Sequence, residues 1–156
     1  MVLNVGDPAP EFELEDSQGK LHRLSDYQGH SIVLYFYPKD DTPGCTKEAC
    51  SFRDSYQTFR AAGIEVIGIS PDSIKSHSKF IEKYDLPFVL LSDPNHKVTE
   101  AFGVWGIKKS FGREYEGVYR TTFVIGPEGK ITRVFENVKP SLHSQEVLEA
   151  VGTEKK

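Results

Sequence analysis

The apolar run over residues 31–37, SIVLYFY, constrains the fold of this chain more than any other feature. A short run rich in β-branched and aromatic residues is typical of a strand that is buried on both faces. Helical spacing of apolar residues follows from about Pro43 or Gly44 to Ala62, and Gly63 is placed to end that helix. A second apolar run covers residues 64–70. This strand–helix–strand order predicts two parallel strands at the centre of an α/β sheet.

The remaining pattern adds strands and helices around that centre. We expect an N-terminal hairpin from residues 11–15 and 20–24, a turn over 25–29, helices over 73–84, 95–102 and about 141–151, a strand at 88–91, and a second hairpin from 119–125 and 130–135. Asn95 is the expected N-cap of its helix, and residues 103–117 are interpreted as a loop. The prediction is therefore an α/β protein with a mixed central sheet, helices flanking it and an N-terminal hairpin extension. A thioredoxin-like fold has this plan.

Length and charge narrow the possible functions. The 156 residues are expected to form one domain, 1–156. A net charge of -4 argues against general nucleic-acid binding, which favours a basic face. The sequence contains no apolar run of membrane-spanning length and no recognisable leader, so neither a membrane partner nor export is expected. A cytoplasmic location is the resulting expectation.

The chain has two cysteines, Cys45 and Cys50. A disulfide scaffold would use more cysteines, and a domain of this size can bury a core without such a staple. Zinc sites usually need four ligands, yet there is no second cysteine pair and the five histidines are scattered. No metal and no cofactor are therefore predicted, and the pair points to redox chemistry.

Cys45 lies where a buried strand gives way to a helix. Ligands of α/β sheets bind at this edge, and the amides and partial positive charge of a helix start stabilise a thiolate. Thr42 precedes it by three residues, with a hydroxyl that can donate and accept hydrogen bonds. Two plainer interpretations stay open at this point: Cys45 as a small buried apolar residue, and Thr42 as an N-cap.

Cys50 follows Cys45 by five residues in the same predicted helix. In an intact helix their Cα atoms are about 8.7 Å apart, on faces turned by roughly 140°. A disulfide needs a Cα separation below about 7 Å. These cysteines can therefore bond only if the start of the helix unwinds. The alternative is that Cys50 is a packed core residue.

The spacing Pro38-x-x-x-Thr42-x-x-Cys45 resembles the signature of the peroxiredoxin family. The longer run over residues 36–50 is similar to the bacterioferritin-comigratory-protein branch, also called Q-type. The similarity extends from Gly6 to about Ala150 and includes residues 6–10, 66–70, 90–93 and 120–125. This resemblance implies a single thioredoxin-like domain of AhpC/TSA type.

The resemblance also implies a function. Such proteins reduce hydrogen peroxide and organic hydroperoxides, and Cys45 would be oxidised to a sulfenic acid that Cys50 resolves to an intramolecular disulfide. Thioredoxin or a similar dithiol protein would then reduce the disulfide. Thr42, Gly44 and Arg120 would bind the peroxide, and Pro38 would shield it from water. No metal or other cofactor is implied, and the expected assembly is a monomer or weak dimer.

Two residues take their meaning from the resemblance alone. Without it, Arg120 would be interpreted as a surface arginine paired with a glutamate. Glu48 matches a recurring acidic position for which we predict only a place in the local polar network.

Two other functions of thioredoxin-like folds remain as alternatives. A copper carrier would use Cys-x-x-x-Cys with a distal histidine, but here the spacing is one residue longer and no paired histidine is evident. A protein disulfide reductase would use Cys-x-x-Cys, which closes its disulfide without unwinding. Retention of Cu(I) against a chelator and activity on a protein disulfide distinguish these alternatives from a peroxidase.

Overall fold

A computed structural model describes residues 3–110, 112–136 and 147 of the chain. In chain order the elements are β1 (Glu13–Asp16), β2 (Leu21–Arg23), a 3₁₀ turn (Leu24–Tyr27), β3 (Ser31–Phe36), α1 (Pro43–Ala61), β4 (Ile64–Ser70), α2 (Ile74–Tyr84), β5 (Val89–Ser92), α3 (Lys97–Ala101), β6 (Trp105–Ser110), β7 (Arg113–Val118), β8 (Thr121–Ile125) and β9 (Ile131–Glu136). Among the residues that the structure describes, seven strands form one sheet in the order β2-β1-β5-β4-β3-β8-β9. The predicted α/β class, mixed sheet and N-terminal hairpin are confirmed.

Strand β3 lies at the centre of the sheet because its side chains are apolar on both faces. It pairs in parallel with β4 and antiparallel with β8. Val33, Tyr35 and the following Tyr37 pack into the core beneath α1 and α2, whereas Leu34 and Phe36 pack into the core on the opposite face. The loop after β3 therefore emerges at the carboxyl edge of the sheet, next to the start of α1.

The predicted start of α3 is wrong. The helix spans Lys97–Ala101, and His96 rather than Asn95 occupies its N-cap position, in a left-handed conformation with φ of 47°. The Asp93 carboxylate accepts hydrogen bonds from the backbone N–H and the hydroxyl of Thr99, at 2.9 and 2.7 Å. A carboxylate several residues upstream thus satisfies the helix amides that Asn95 was expected to bind.

The prediction of a loop over residues 103–117 is also wrong. Strands β6 and β7 form an antiparallel hairpin of their own, with Trp105 opposite Val118 and Lys109 opposite Glu114. Gly106 and Gly117 lie opposite each other near the open end of this hairpin, and its exposed positions mix charged residues with Ile107 and Tyr115. Period-two alternation is therefore weak in the sequence, although the backbone pairing is complete.

The second predicted hairpin is confirmed as β8 and β9, joined through a turn that contains Gly129 with φ of 81°. The helix predicted over residues 141–151 lies outside the described residues, apart from Val147, which is helical and fully buried. Among the residues that the structure covers, no helix combines the length and apolarity needed to cross a bilayer.

Candidate active site

Cys45 lies in the first turn of α1, directly beyond the carboxyl end of β3. Thr42 occupies the N-cap position and Pro43 begins the helix, where a missing N–H costs nothing. The Cys45 side chain is only 1% exposed and belongs to the core cluster beneath α1. The thiol is free. The sulfur is thus held at a helix start and largely shielded from water.

Arg120 reaches Cys45 from the far end of the sequence. It directly precedes β8, and the pairing of Phe36 with Thr121 brings it beside the end of β3. Its Nη2 donates a hydrogen bond to Cys45 Sγ at 3.3 Å, and its Nη1 binds Glu48 Oε1 at 2.7 Å. The Arg120 side chain is 19% exposed. A guanidinium fixed in this way stabilises negative charge on the sulfur.

Glu48 holds the other side of the guanidinium, one turn along α1 from Cys45. Its side chain is fully buried, and among the described residues its Oε2 has no hydrogen-bond partner. Burial raises the pKa of Glu48 to about 7, and the charge of Arg120 offsets this only in part. Burial lowers the pKa of Arg120. The interactions of Arg120 with Glu48 and Cys45 raise this pKa by more, so the net shift is upward. Arg120 is therefore charged at physiological pH.

The raised pKa of Glu48 predicts a pH-dependent stability. Unfolded Glu48 loses its proton near its ordinary value of 4.5, whereas folded Glu48 keeps it until about 7. The folded state binds more protons in that window, so its stability falls as pH rises through it. We expect the free energy of unfolding of the wild type, measured relative to Glu48→Gln, to fall by up to roughly 3 kcal/mol between pH 4.5 and 7. Urea denaturation of both proteins at intervals of pH measures this difference, and a constant difference would contradict the assignment.

The Thr42 hydroxyl is positioned to accept a further hydrogen bond rather than to donate one. Its hydroxyl donates to the backbone oxygen of Lys39 at 2.9 Å and makes no side-chain cap to α1. Since that bond uses the hydroxyl hydrogen, the oxygen can only accept a further hydrogen bond. Thr42 thus occupies the expected N-cap position without capping through its side chain. Pro38 and Gly44 are both half-buried, on either side of Thr42 in the chain.

Cys50 lies farther along α1, half-buried and with a free thiol. Both cysteines are within the continuous helix Pro43–Ala61. In the folded state the two cysteines therefore lie on different faces of the helix, as their spacing of five residues predicts. The structure brings Cys45 and Arg120 together but leaves Cys50 unbonded to Cys45.

Lys108 is a neighbour of the site and belongs to the segment 103–117, which was interpreted as a loop that could flank the substrate entrance or a partner surface. Its side chain lies across Gly117 on the β6–β7 hairpin, and its Nζ donates to the backbone oxygen of Val118 at 3.0 Å. Burial lowers the pKa of Lys108 and the charge of Arg120 lowers it further, while Cys45 has the opposite effect. The signal available in the sequence was the pair of glycines, Gly106 and Gly117, which make room for long side chains lying flat on the strands.

Comparison with known proteins identifies relatives along nearly the whole chain. The AhpC/TSA family matches residues 5–134. Peroxiredoxin Bcp of Bacillus subtilis is 50% identical over 151 residues, covering 97% of this chain and 96% of that protein. Peroxiredoxin Bcp of Escherichia coli is 47% identical over 146 residues, covering 94% of each chain.

Solved structures of similar proteins share the same architecture. The bacterioferritin comigratory protein of Xanthomonas campestris, studied for its alkyl peroxide reduction, superposes with a TM-score of 0.88 at 37% identity, covering 93% of this chain and 92% of that one. A PrxQ variant of Xylella fastidiosa superposes with a TM-score of 0.94 at 34% identity, covering 100% of this chain and 99% of that one.

Proposed function

This chain belongs to the AhpC/TSA family, among peroxiredoxins of the Bcp and PrxQ type, and on that premise we propose that it reduces hydroperoxides with Cys45 as the nucleophile. The observation that carries the proposal is the hydrogen bond from Arg120 Nη2 to Cys45 Sγ at the start of α1. A fixed cation and a helix start both favour the thiolate, which is the form of cysteine that attacks.

The reaction at Cys45 breaks the O–O bond of the hydroperoxide. The sulfur attacks the terminal oxygen, and the second oxygen leaves with the bonding electrons and takes up a proton. The products are a sulfenic acid on Cys45 and water or an alcohol. Arg120 stabilises the negative charge as it moves from sulfur to the leaving oxygen. In this proposal the Thr42 oxygen, whose hydrogen is donated to Lys39, accepts a hydrogen bond from the peroxide, and Gly44 and Pro38 are further neighbours of the bound substrate.

Resolution by Cys50 completes the proposed cycle. The Cys50 thiolate attacks the sulfenic sulfur, hydroxide leaves and takes up a proton to become water, and a disulfide joins the two residues. Because both lie in one continuous helix, the first turns of α1 must unwind before this step. A dithiol protein, thioredoxin or a similar one, then reduces the disulfide. Dependence on such a reductant fits a cytoplasmic setting, where thiols are kept reduced.

Intact mass after one equivalent of hydrogen peroxide tests the proposal. We expect the wild type to lose roughly 2 Da as the disulfide forms, and Cys50→Ser to gain roughly 16 Da as the sulfenic acid persists. Cys50→Ser should also stop after one turnover when thioredoxin is the sole reductant. An unchanged mass of the wild type would contradict the peroxidase proposal, whereas full turnover by Cys50→Ser would contradict only the resolving role.

A further inference from the structure

Asp40 lies buried in the loop between β3 and α1, two residues before Thr42. Asp40 is only 7% exposed. Its carboxylate accepts hydrogen bonds from one side chain just after β3 and from another on α2. The Tyr37 hydroxyl donates to Oδ1 at 2.5 Å, and the Ser76 hydroxyl donates to Oδ2 at 2.8 Å. His77 Nδ1 lies 2.7 Å from Oδ2. A buried carboxylate with this many donors is firmly held.

His77 connects Asp40 to the sheet. It is fully buried on α2, and its Nε2 lies 2.9 Å from the backbone oxygen of Leu91 in β5. A carbonyl oxygen only accepts, so His77 donates through Nε2 to the Leu91 oxygen. Ligand atoms of Asp40, Asp72 and His77 lie within 4.8 Å of one another. Both ring nitrogens of His77 are nevertheless engaged in hydrogen bonds, so this cluster acts as a structural link.

Three more hydrogen bonds hold the same loop. The backbone N–H of Asp40 donates to Asp72 Oδ2 at 2.8 Å, and Asp72 is itself bound by the Ser70 hydroxyl at the end of β4. Asp41 adopts a left-handed conformation with φ of 56°, which an aspartate tolerates at some cost. Its carboxylate accepts hydrogen bonds from Lys83 Nζ and the Tyr84 hydroxyl of α2, each at 2.8 Å.

We propose that Asp40 and His77 form a clamp that keeps the loop over residues 37–42 in place on α2 while the first turns of α1 unwind. The inference rests on the proposed function, because only the reaction of Cys45 with Cys50 requires that unwinding. Asp40 and His77 are positioning residues: they hold Thr42 for the peroxide reaction and confine the opening to residues after Thr42.

The distribution of contacts supports a boundary at Thr42. Residues 40 and 41 are bound to α2 and to Asp72, in the loop between β4 and α2, by hydrogen bonds that do not involve α1. The first turns of α1, by contrast, contain Gly44, which has no side chain to pack, and their buried residues Cys45 and Glu48 are held by Arg120 rather than by the loop. Unwinding the first turns of α1 therefore breaks the contacts of Cys45 and Glu48 with Arg120 but none of the hydrogen bonds that hold residues 40 and 41. Without the clamp, the loop would move with the helix start and Thr42 would leave its reactive position.

Two variants and a matched control test the clamp. Asp40→Ala removes its centre, and Ser76→Ala is the milder change because it removes one donor and leaves the Asp40–His77 pair intact. The control is Asp93→Asn, which alters a buried aspartate that binds Thr99 of α3 instead of the active-site loop. Amide hydrogen exchange of the reduced proteins is measured for peptides covering residues 37–50. Rate constants are measured separately for sulfenic acid formation and for disulfide formation.

We expect both loop variants to speed the exchange of residues 37–42, Asp40→Ala by about tenfold or more, while Asp93→Asn leaves this segment unchanged. Asp40→Ala should slow sulfenic acid formation by about 10–100-fold and speed disulfide formation, because Thr42 is misplaced while the helix opens more easily. A general loss of stability would instead affect the control in the same way.

Unchanged exchange of residues 37–42 in Asp40→Ala and Ser76→Ala would overturn the clamp, and so would equal effects in Asp93→Asn. If Asp40→Ala does not fold, Asp40→Asn, which keeps the size of the side chain and removes its charge from the pair with His77, decides the question by the same exchange measurement. A wild type that does not react with peroxide would overturn the proposed function, and the exchange result would still decide whether the loop is clamped.

Discussion

Replacing Cys45 by serine is expected to reduce peroxide turnover to the rate of the uncatalysed reaction. A serine hydroxyl is not ionised near neutral pH and is a poor nucleophile unless a general base activates it. Arg120 is a cation that donates a hydrogen bond at this position. It can stabilise an anion, but it cannot act as the general base that a serine would need. Consumption of hydrogen peroxide with thioredoxin and its reductase measures the loss.

The matched control for Cys45→Ser is Cys50→Ser, which keeps the attacking sulfur. We expect Cys50→Ser to consume one equivalent of peroxide at the rate of the wild type, and Cys45→Ser to consume none. Cys45→Ser should fold because Arg120 can donate a hydrogen bond to the serine oxygen, and Cys50→Ser should fold because Cys50 is only half-buried. Peroxide turnover by Cys45→Ser at the wild-type rate would exclude Cys45 as the nucleophile.

Replacing Arg120 by methionine is expected to lower the rate constant for reaction with peroxide by about 10²–10³-fold. Its guanidinium is the group that contacts Cys45 Sγ, and the charge of the sulfur changes during the reaction. Stopped-flow measurement of the first oxidation isolates this step from resolution by Cys50. Arg120→Lys keeps the charge but not the two-pronged geometry, so it should recover only part of the rate.

The same substitution is expected to destabilise the fold, because Glu48 would lose the partner of its buried carboxylate. Breaking a buried ion pair costs about 3–5 kcal/mol when one charge is left behind. The loss should be smaller below pH 7, where Glu48 takes up a proton because burial raises its pKa to about 7. The double variant Arg120→Met with Glu48→Gln should regain stability without regaining the rate. A rate within about threefold of the wild type in Arg120→Met would contradict its role at the sulfur.

The central elements of the fold could be predicted because their signals are local. The run ending at Tyr37 and the run over Ile64–Ser70 are apolar along their length, and β4 has the predicted bounds. The hairpin β6–β7 was missed because paired glycines and exposed charges weaken its alternation, and the pairing itself stabilises it. The start of α3 was misplaced since the Asp93 carboxylate satisfies its amides from outside the expected cap position.

For the candidate site, the sequence by itself determined the position of Cys45 at a helix start and its separation from Cys50, since both depend only on local periodicity. Which side chains meet the sulfur was decided by tertiary structure alone. Arg120 arrives through the antiparallel pairing of β3 with β8, and its contact with Glu48 spans 72 positions in the chain. The link between Asp40 and His77 likewise depends on packing α2 against the sheet. Burial makes these tertiary contacts necessary, because charged groups removed from water are stable only when they are paired. A local sequence pattern does not specify those partners, since they come from distant parts of the chain.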